Sequence, residues 1–421
     1  MKILCLVDKY YPESSANTVC TDVIMNYFKA QGNSVDFLSI IDAGNSDFYS
    51  IQNDSNVIKF PTYTNIYTKR LGKVFKANRW ESFPWVFRKS IGGFYRATHF
   101  YRANTENNPL DVVNYKSIEK RVRKVRNSYD ILISVSAPFA LHIIAVNLFK
   151  SGVAKKWFPI FLDPFVYNKT FKTSRIERRK KIAEKYLNYA EKIFAVDGIV
   201  AENLKQGYNP DYHKKIMDIT LPNLVEHKVE TSKVANKNSN NIVLVYAGLF
   251  YENIRNPRKM FEIIEKLPNG FELDIYGNGC EAVVNDYLVK NGEKFKCYGR
   301  VDHSVCLQKL FNSNVLVNLS NTITNQMPSK VFEYISYGKP VINFYFTEDD
   351  PSLKYFKNYP LAFNINVNKY TDKDVQCLKE FCERNKNVKL SFNEATQNLV
   401  KYRAENICKD IYNTVLCGIK Q

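Results

Sequence analysis

Short, uninterrupted apolar runs alternate along the chain with longer segments whose apolar residues recur at helical spacing. "KILCLV" (2–7) opens the series and reads as a strand covered on both faces. After the loop "DKYYPESSANT", the segment "VCTDVIMNYFKAQGN" has helical period and closes near Gly32, a residue suited to the left-handed position that ends a helix. "SVDFLSI" is the next predicted strand. "YDILISVS" leads into a helix through His142, and "WFPIFLD" into a helix through "RIERRKKIAEKYLNYAE". "KIFAVD", a helix around "IVAENLKQGY" and "DITLPNLV" complete the first half.

A stretch without periodicity, "EHKVETSKVANKNSNN", then marks a linker. The pattern restarts with strands at "IVLVYAG", "FELDIYG", "KFKCYGRV", "VLVNLS" and "PVINFY", and with helices between them at "NPRKMFEIIEKLP", "CEAVVNDYLVKNG", "HSVCLQKLFNSN" and "SKVFEYIS". The prediction is an α/β chain of two doubly wound, Rossmann-like domains, residues 1–225 and 226–402. A C-terminal helix at about 403–421 is expected to pack back on the first domain. Two such domains predict a central cleft, with functional residues in the loops that follow strands.

One run could be mistaken for a membrane span. "ILISVSAPFALHIIAVNLF" (131–149) is uncharged and long enough. Pro138, His142 and Asn147 interrupt it, and a strand, a turn and a helix opening near Pro138 are predicted instead. The apolar run after Lys2 is too short for a signal peptide. The 421 residues are 45% hydrophobic and carry a formal charge of +18, a balance that suits anionic partners: nucleic acid, phosphorylated ligands or an anionic membrane face. Nine cysteines and five histidines are scattered without zinc-ligand spacing, as expected of reduced thiols in a cytosolic protein. The D-x-D at Asp372 and Asp374 begins a helical pattern and reads as a cap, so no metal is expected.

Candidate chemistry concentrates after the strands of the second half. In "NTITNQMPSKVFEY", Pro328 suits a first helical turn, whose amides together with the Lys330 charge would bind an anion. Glu333 lies one turn on, placed either to hold neighbouring hydroxyls or simply to pair with Lys330. In "AGLFYENIRNPRKM", Gly248 ends a strand and Arg255 precedes a helix, a residue type suited to bidentate phosphate recognition. Two loops that each bring a cation to a helix start favour a diphosphate. Gly277, Gly279 and Ala282 fit the dinucleotide fingerprint G-x-G-x-x-A, but not on the first strand of the domain, and no acid ends the next strand to hold a ribose.

"MPSKVFEYISYGKPVI", "YAGLFYENIRNP" and "YGNG…YGRVDHSVCLQKL" together resemble the retaining family 4, or group 1, glycosyltransferases of GT-B fold. The first half agrees through "KILCLVDKYYPESSAN" and "ILISVSAPFALHIIA…WFPIFLDPFVY". The resemblance implies a nucleotide diphosphate sugar of UDP or GDP type as substrate, with no cofactor. It implies Arg255 and Lys330 on the donor diphosphate, Glu333 on the ribose, and Gly248 and Gly277 where loops approach the donor. Pro328 and Ser329 belong to the same donor loop, and backbone near Val301 would meet the base. Ser14, Ser15, Ala16 and Asn17 replace the family's usual glycine pair near the phosphates. The family's E-x7-E reads N-x7-E here, with Asn325 at the position that faces the donor sugar. Where many relatives have a histidine the chain has Ser136, and Asp163 is the nearest ionisable candidate on the acceptor side.

Between Lys69 and Arg102 lie nine Lys or Arg residues and one acid, Glu81, interleaved with aromatic rings. The resemblance to enzymes of lipid-linked acceptors makes an anionic membrane surface the expected partner of this insert, rather than nucleic acid. The implied protein is a cytoplasmic, peripheral membrane glycosyltransferase, retaining and metal-independent. Its acceptor would be a glycan or lipid-linked precursor of a capsule, O-antigen or exopolysaccharide. The alternatives are a GT-B nucleotide-sugar epimerase and a non-catalytic GT-B protein that binds membrane or nucleic acid.

Overall fold

The computed structural model describes residues 1–11, 15–40, 49–52, 54–60, 115–167, 176–196, 198, 202, 204–206, 209–227, 241–324 and 326–420. The basic aromatic insert, Ser14 and Asn325 lie outside the described residues, as does the side chain of Ala16. The chain divides into one unit of Met1–Pro222 with Ala404–Gln421, and a second of Asn223–Arg403.

The first unit is built from β1 (Lys2–Val7), α1 (Ala16–Ala30), β2 (Ser34–Ile40), β3 (Tyr49–Gln52), β4 (Ser55–Phe60), α2 (Tyr115–Val125), β5 (Tyr129–Ser136), α3 (Ala140–Lys150), β6 (Ala154–Phe161), α4 (Ile176–Leu187), β7 (Ile193–Val196) and β8 (Ile216–Ile219). Its eight-stranded sheet runs β3-β4-β2-β1-β5-β6-β7-β8. Every pairing is parallel except that of β3 with β4. Ile3 to Val7 are fully buried, as a strand with helices on both faces requires. Each such aliphatic side chain contributes roughly 1.5–3 kcal/mol relative to an exposed one. The 131–149 run splits into the end of β5 and most of α3. No helix among the described residues is long and apolar enough to cross a membrane.

The second unit comprises β9 (Ile242–Ala247), α5 (Arg258–Glu265), β10 (Phe271–Tyr276), α6 (Glu281–Lys290), β11 (Phe295–Cys297), α7 (His303–Asn312), β12 (Val315–Leu319), α8 (Lys330–Ser336), β13 (Val341–Tyr345), a single turn at Leu353–Phe356, β14 (Ala362–Asn366) and α9 (Asp372–Asn385). The sheet order is β11-β10-β9-β12-β13-β14 and all its pairings are parallel. The order reverses between β9 and β12, the topological switch point at which doubly wound sheets open a crevice. Asp374 closes a capping box with Thr371 at the start of α9, accepting from its backbone N–H and hydroxyl at 2.7 Å each. The last helix, α10 (Ala404–Lys420), packs on α1 in the first unit, with the Tyr412 ring edge-on to Phe28 at 4.9 Å.

Candidate functional site

The pairing of β9 with β12 ends at Val317 opposite Tyr246. Beyond that point the strands part, and a pocket opens between Ala247, Asn318 and Leu319. Arg255 reaches it from the loop after β9, and Pro328, Ser329 and Lys330 from the loop after β12. The pocket holds about 40 Å³, room for about three water-sized groups, the scale of the oxygens on one phosphoryl group.

The β9 loop is held in shape by the bridge between Tyr251 and Arg255, with the Arg255 N–H donating to Tyr251 O at 2.8 Å. Arg255 Nε donates to Asn321 Oδ1 at 3.0 Å. That bond orients the guanidinium at the pocket wall, beside the Tyr246 phenol. Burial pushes the Tyr246 phenol up to about 12, and the neighbouring Arg255 charge opposes the rise. Tyr334, one helical turn beyond Lys330, lines the pocket and places its hydroxyl 3.3 Å from the Ala247 N–H.

Gly248 and Gly277 meet across the loops that follow β9 and β10. The Gly248 N–H donates to Tyr276 O at 3.0 Å. Gly277 has φ +157°, and a Cβ there would lie 1.8 Å from Gly248 O. Gly279, at φ +100°, would bring a Cβ within 2.2 Å of Phe250 O. Both glycines of the G-x-G-x-x-A pattern are therefore required by loop-to-loop packing.

Helix α8 starts at Lys330, with Ser329 as its N-cap residue, so Pro328 sits in the entering turn rather than in the first helical position. Its carbonyl accepts from the Val331 N–H at 3.3 Å. Lys330 Nζ and the Glu333 carboxylate form an ion pair at 2.7 and 3.0 Å, with 30% and 20% of their side chains exposed. Glu333 also accepts from the Tyr337 hydroxyl at 3.4 Å, and His227 stacks on the Tyr337 ring at 4.7 Å. Burial lowers the His227 pKa, Glu333 opposing and Lys330 adding to the shift.

The structure thus brings Arg255, Pro328, Ser329 and Lys330 to one pocket, with Glu333 bound to Lys330. Val301 is half-buried in the loop between β11 and α7 and is not among the pocket residues. Asn318, Asn321, Tyr246 and Tyr334 were missed by sequence reading. Tyr334 alone carried a signal, its spacing from Lys330.

In the first unit the corresponding switch point lies between β1 and β5. Asn17 Nδ2 donates across it to Ala137 O at 2.9 Å. Ser15 caps α1, accepting from Thr18 N–H at 3.2 Å and donating to Asp8 Oδ1 at 2.9 Å. Burial raises the pKa of Asp8, against the lowering effect of Ser15. Ser136 Oγ is buried with no hydrogen-bond partner among the described residues, and Asp163 follows β6, half-buried.

No protein-family profile and no curated protein matches the sequence. Solved structures match over nearly its whole length. The lipopolysaccharide outer core galactosyltransferase WaaB is 15% identical, with a TM-score of 0.57 and 99% of each chain covered. Anabaena HepE in complex with UDP-glucose is 12% identical, with a TM-score of 0.60, covering 99% of this chain and 100% of its own. A putative UDP-N-acetylglucosamine 2-epimerase from Listeria monocytogenes is 13% identical, with a TM-score of 0.55, covering 98% of this chain and 95% of its own. With one sheet parallel throughout and the other parallel but for its edge strand β3, the full-length likeness establishes that the chain has the GT-B fold of the glycosyltransferases.

Proposed function

We propose that the protein transfers a sugar from a UDP- or GDP-type nucleotide diphosphate sugar to a hydroxyl of a glycan or lipid-linked acceptor, with retention of configuration. The observation that carries this reading is the convergence of Arg255 and Lys330, from the loops after β9 and β12, on one pocket at the switch point.

Arg255 supplies planar N–H donors and Lys330 a point charge, a pair suited to the two phosphates of the donor. Negative charge grows on the diphosphate as the glycosidic bond breaks, so cations fixed beforehand lower the barrier. The acceptor hydroxyl attacks on the face the diphosphate leaves, and its proton passes to the departing phosphate oxygen, so no protein nucleophile is needed. Glu333 exchanges part of its bond with Lys330 for the ribose hydroxyls. Asn325 faces the donor sugar, backbone near Val301 meets the base, and Asp163, Ser136 and the loop of Ser14 to Asn17 serve the acceptor side. The acceptor is a growing cell-surface polysaccharide or its lipid-linked precursor. The Lys69–Arg102 insert holds the enzyme on the cytoplasmic membrane face.

The test is a panel of nucleotide sugars incubated with and without glycan acceptors. Product that forms only with acceptor and keeps the anomeric configuration supports the proposal. The likeness to the putative epimerase favours a second reading, in which donor alone is consumed and its sugar inverted at a ring carbon.

A further inference from the structure

Three asparagines, Asn318 and Asn343 buried and Asn364 half-buried, stand side by side on β12, β13 and β14. Asn318 is in register with Asn343, and Asn343 with Asn364. Their amides form a ladder: Asn318 Nδ2 donates to Asn343 Oδ1 at 2.7 Å, and Asn343 Nδ2 to Asn364 Oδ1 at 2.9 Å. An amide ladder can run in either direction, because each rung carries a donor and an acceptor. Something must choose, and Asp350 does.

Asp350 is 5% exposed, and its Oδ1 accepts from the Ser352 N–H at 2.8 Å and from the Ser352 hydroxyl at 2.5 Å. A carboxylate only accepts, so it claims the single hydroxyl proton of Ser352. Ser352 Oγ must then accept, and it lies 3.2 Å from Asn343 Nδ2 and 3.1 Å from Ser320 Oγ. This turns Asn343 Nδ2 toward Ser352 and its Oδ1 toward Asn318, which must present its own Nδ2. Asn318 Oδ1 is the atom left over. It takes no hydrogen bond from any described residue, and Asn318 lines the pocket beside Arg255 and Lys330. Burial raises the pKa of Asp350, while Ser352, Ser320 and the Arg255 charge favour the carboxylate.

A lone acceptor is out of place in a pocket built for an anion. It fits a ligand that puts a hydroxyl next to its phosphate. We propose that Asn318 is a specificity-determining residue that accepts a hydrogen bond from a hydroxyl of the donor sugar, and that Asp350 is the positioning residue that fixes its amide. This rests on the nucleotide-sugar reading above. In Asp350→Asn the new amide can donate to Ser352, so the ladder is free to reverse and offer Asn318 Nδ2 to the pocket.

The experiment is calorimetric titration of wild type, Asp350→Asn and Asn318→Ala with UDP against UDP-glucose and GDP against GDP-mannose, with melting curves to confirm folding. The quantity read is the ratio of the two dissociation constants in each pair. The expected result is that the sugar's share of affinity falls about three- to tenfold in both variants, the scale of one hydrogen bond. Affinity for the sugar-free nucleotide should fall by less than affinity for the nucleotide sugar in Asn318→Ala, and should hold or rise in Asp350→Asn. Wild-type binding with an unchanged ratio in either folded variant, or an equal loss for nucleotide and nucleotide sugar, would overturn the assignment alone. A wild-type protein that binds none of the four ligands would overturn the nucleotide-sugar reading along with it.

Discussion

Replacing Gly277 by alanine should disable the site from behind, without touching any residue that lines the pocket. The new Cβ would stand 1.8 Å from Gly248 O, where real Cβ contacts essentially never fall under 3.0 Å. The obstacle is backbone, so the two loops must part by more than an ångström. Arg255 is carried on the loop that has to move, and a misplacement of about 1 Å at a catalytic group can cost about 100-fold in rate. Overpacking and a positive φ together cost about 3 kcal/mol. For a unit of this size that lowers the melting temperature by about 6–12 °C. Gly270→Ala is the control. It has φ +92°, but its Cβ would find only Asn241 Oδ1 at an ordinary 3.8 Å. It should cost about 1 kcal/mol, or about 2–4 °C, and leave nucleotide affinity alone. The assay is differential scanning calorimetry with nucleotide-sugar titration on both variants. If Gly277→Ala binds and turns over like Gly270→Ala, the loops yield without moving Arg255 and the reasoning fails.

Other outcomes follow from the same structure. Arg255→Ala and Glu333→Ala should each lower turnover by at least about 100-fold while the melting temperature moves by only a few degrees; full activity in either would remove that residue from the site. Ser15→Ala should lose about 1 kcal/mol of stability, because its hydroxyl is committed to the α1 cap and to Asp8; a fall in nucleotide affinity without loss of stability would contradict that. His142 is fully buried against Ser134, and burial lowers its pKa to about 3. Below about pH 6.5 the unfolded chain takes up a proton that the native imidazole refuses, so stability is full above 6.5 and falls toward 3. The loss reaches about 3 kcal/mol at pH 4.5. Unfolding of His142→Phe should show a correspondingly flatter acid limb, and an identical limb would rule His142 out as its source.

The parallel strands were the most legible part of the fold, because burial on both faces leaves a solid apolar run such as Ile3 to Val7. The helix ends followed from capping chemistry, Gly32 past α1 having φ +78° and Asp374 closing the α9 box. The edge strand β3 escaped because it has only four residues and pairs antiparallel on a sheet that is otherwise parallel, and its neighbour β4 because Asn56 and Lys59 interrupt its apolar run. β11 is confined to Phe295–Cys297, shorter than "KFKCYGRV" suggested. At the site, Arg255 and Lys330 were visible as cations after strands. The Lys330–Glu333 pair was open to two interpretations; the structure shows the ion pair, set beside a pocket that Lys330 lines, and the ligand-holding reading belongs to the proposed function. The asparagine ladder could not be read at all. Asn318, Asn343 and Asn364 look like strays in three separate strands until the register sets them side by side.

The central claim is that the crevice between β9 and β12 holds a donor diphosphate. Calorimetric titration of UDP and GDP into wild type and the Lys330→Ala variant tests it most directly. The account predicts that at least one nucleotide binds wild type with a dissociation constant of about a micromolar to a millimolar, and that Lys330→Ala weakens it at least about tenfold. Equal affinity in the two proteins, or no binding of either nucleotide to wild type, would contradict it.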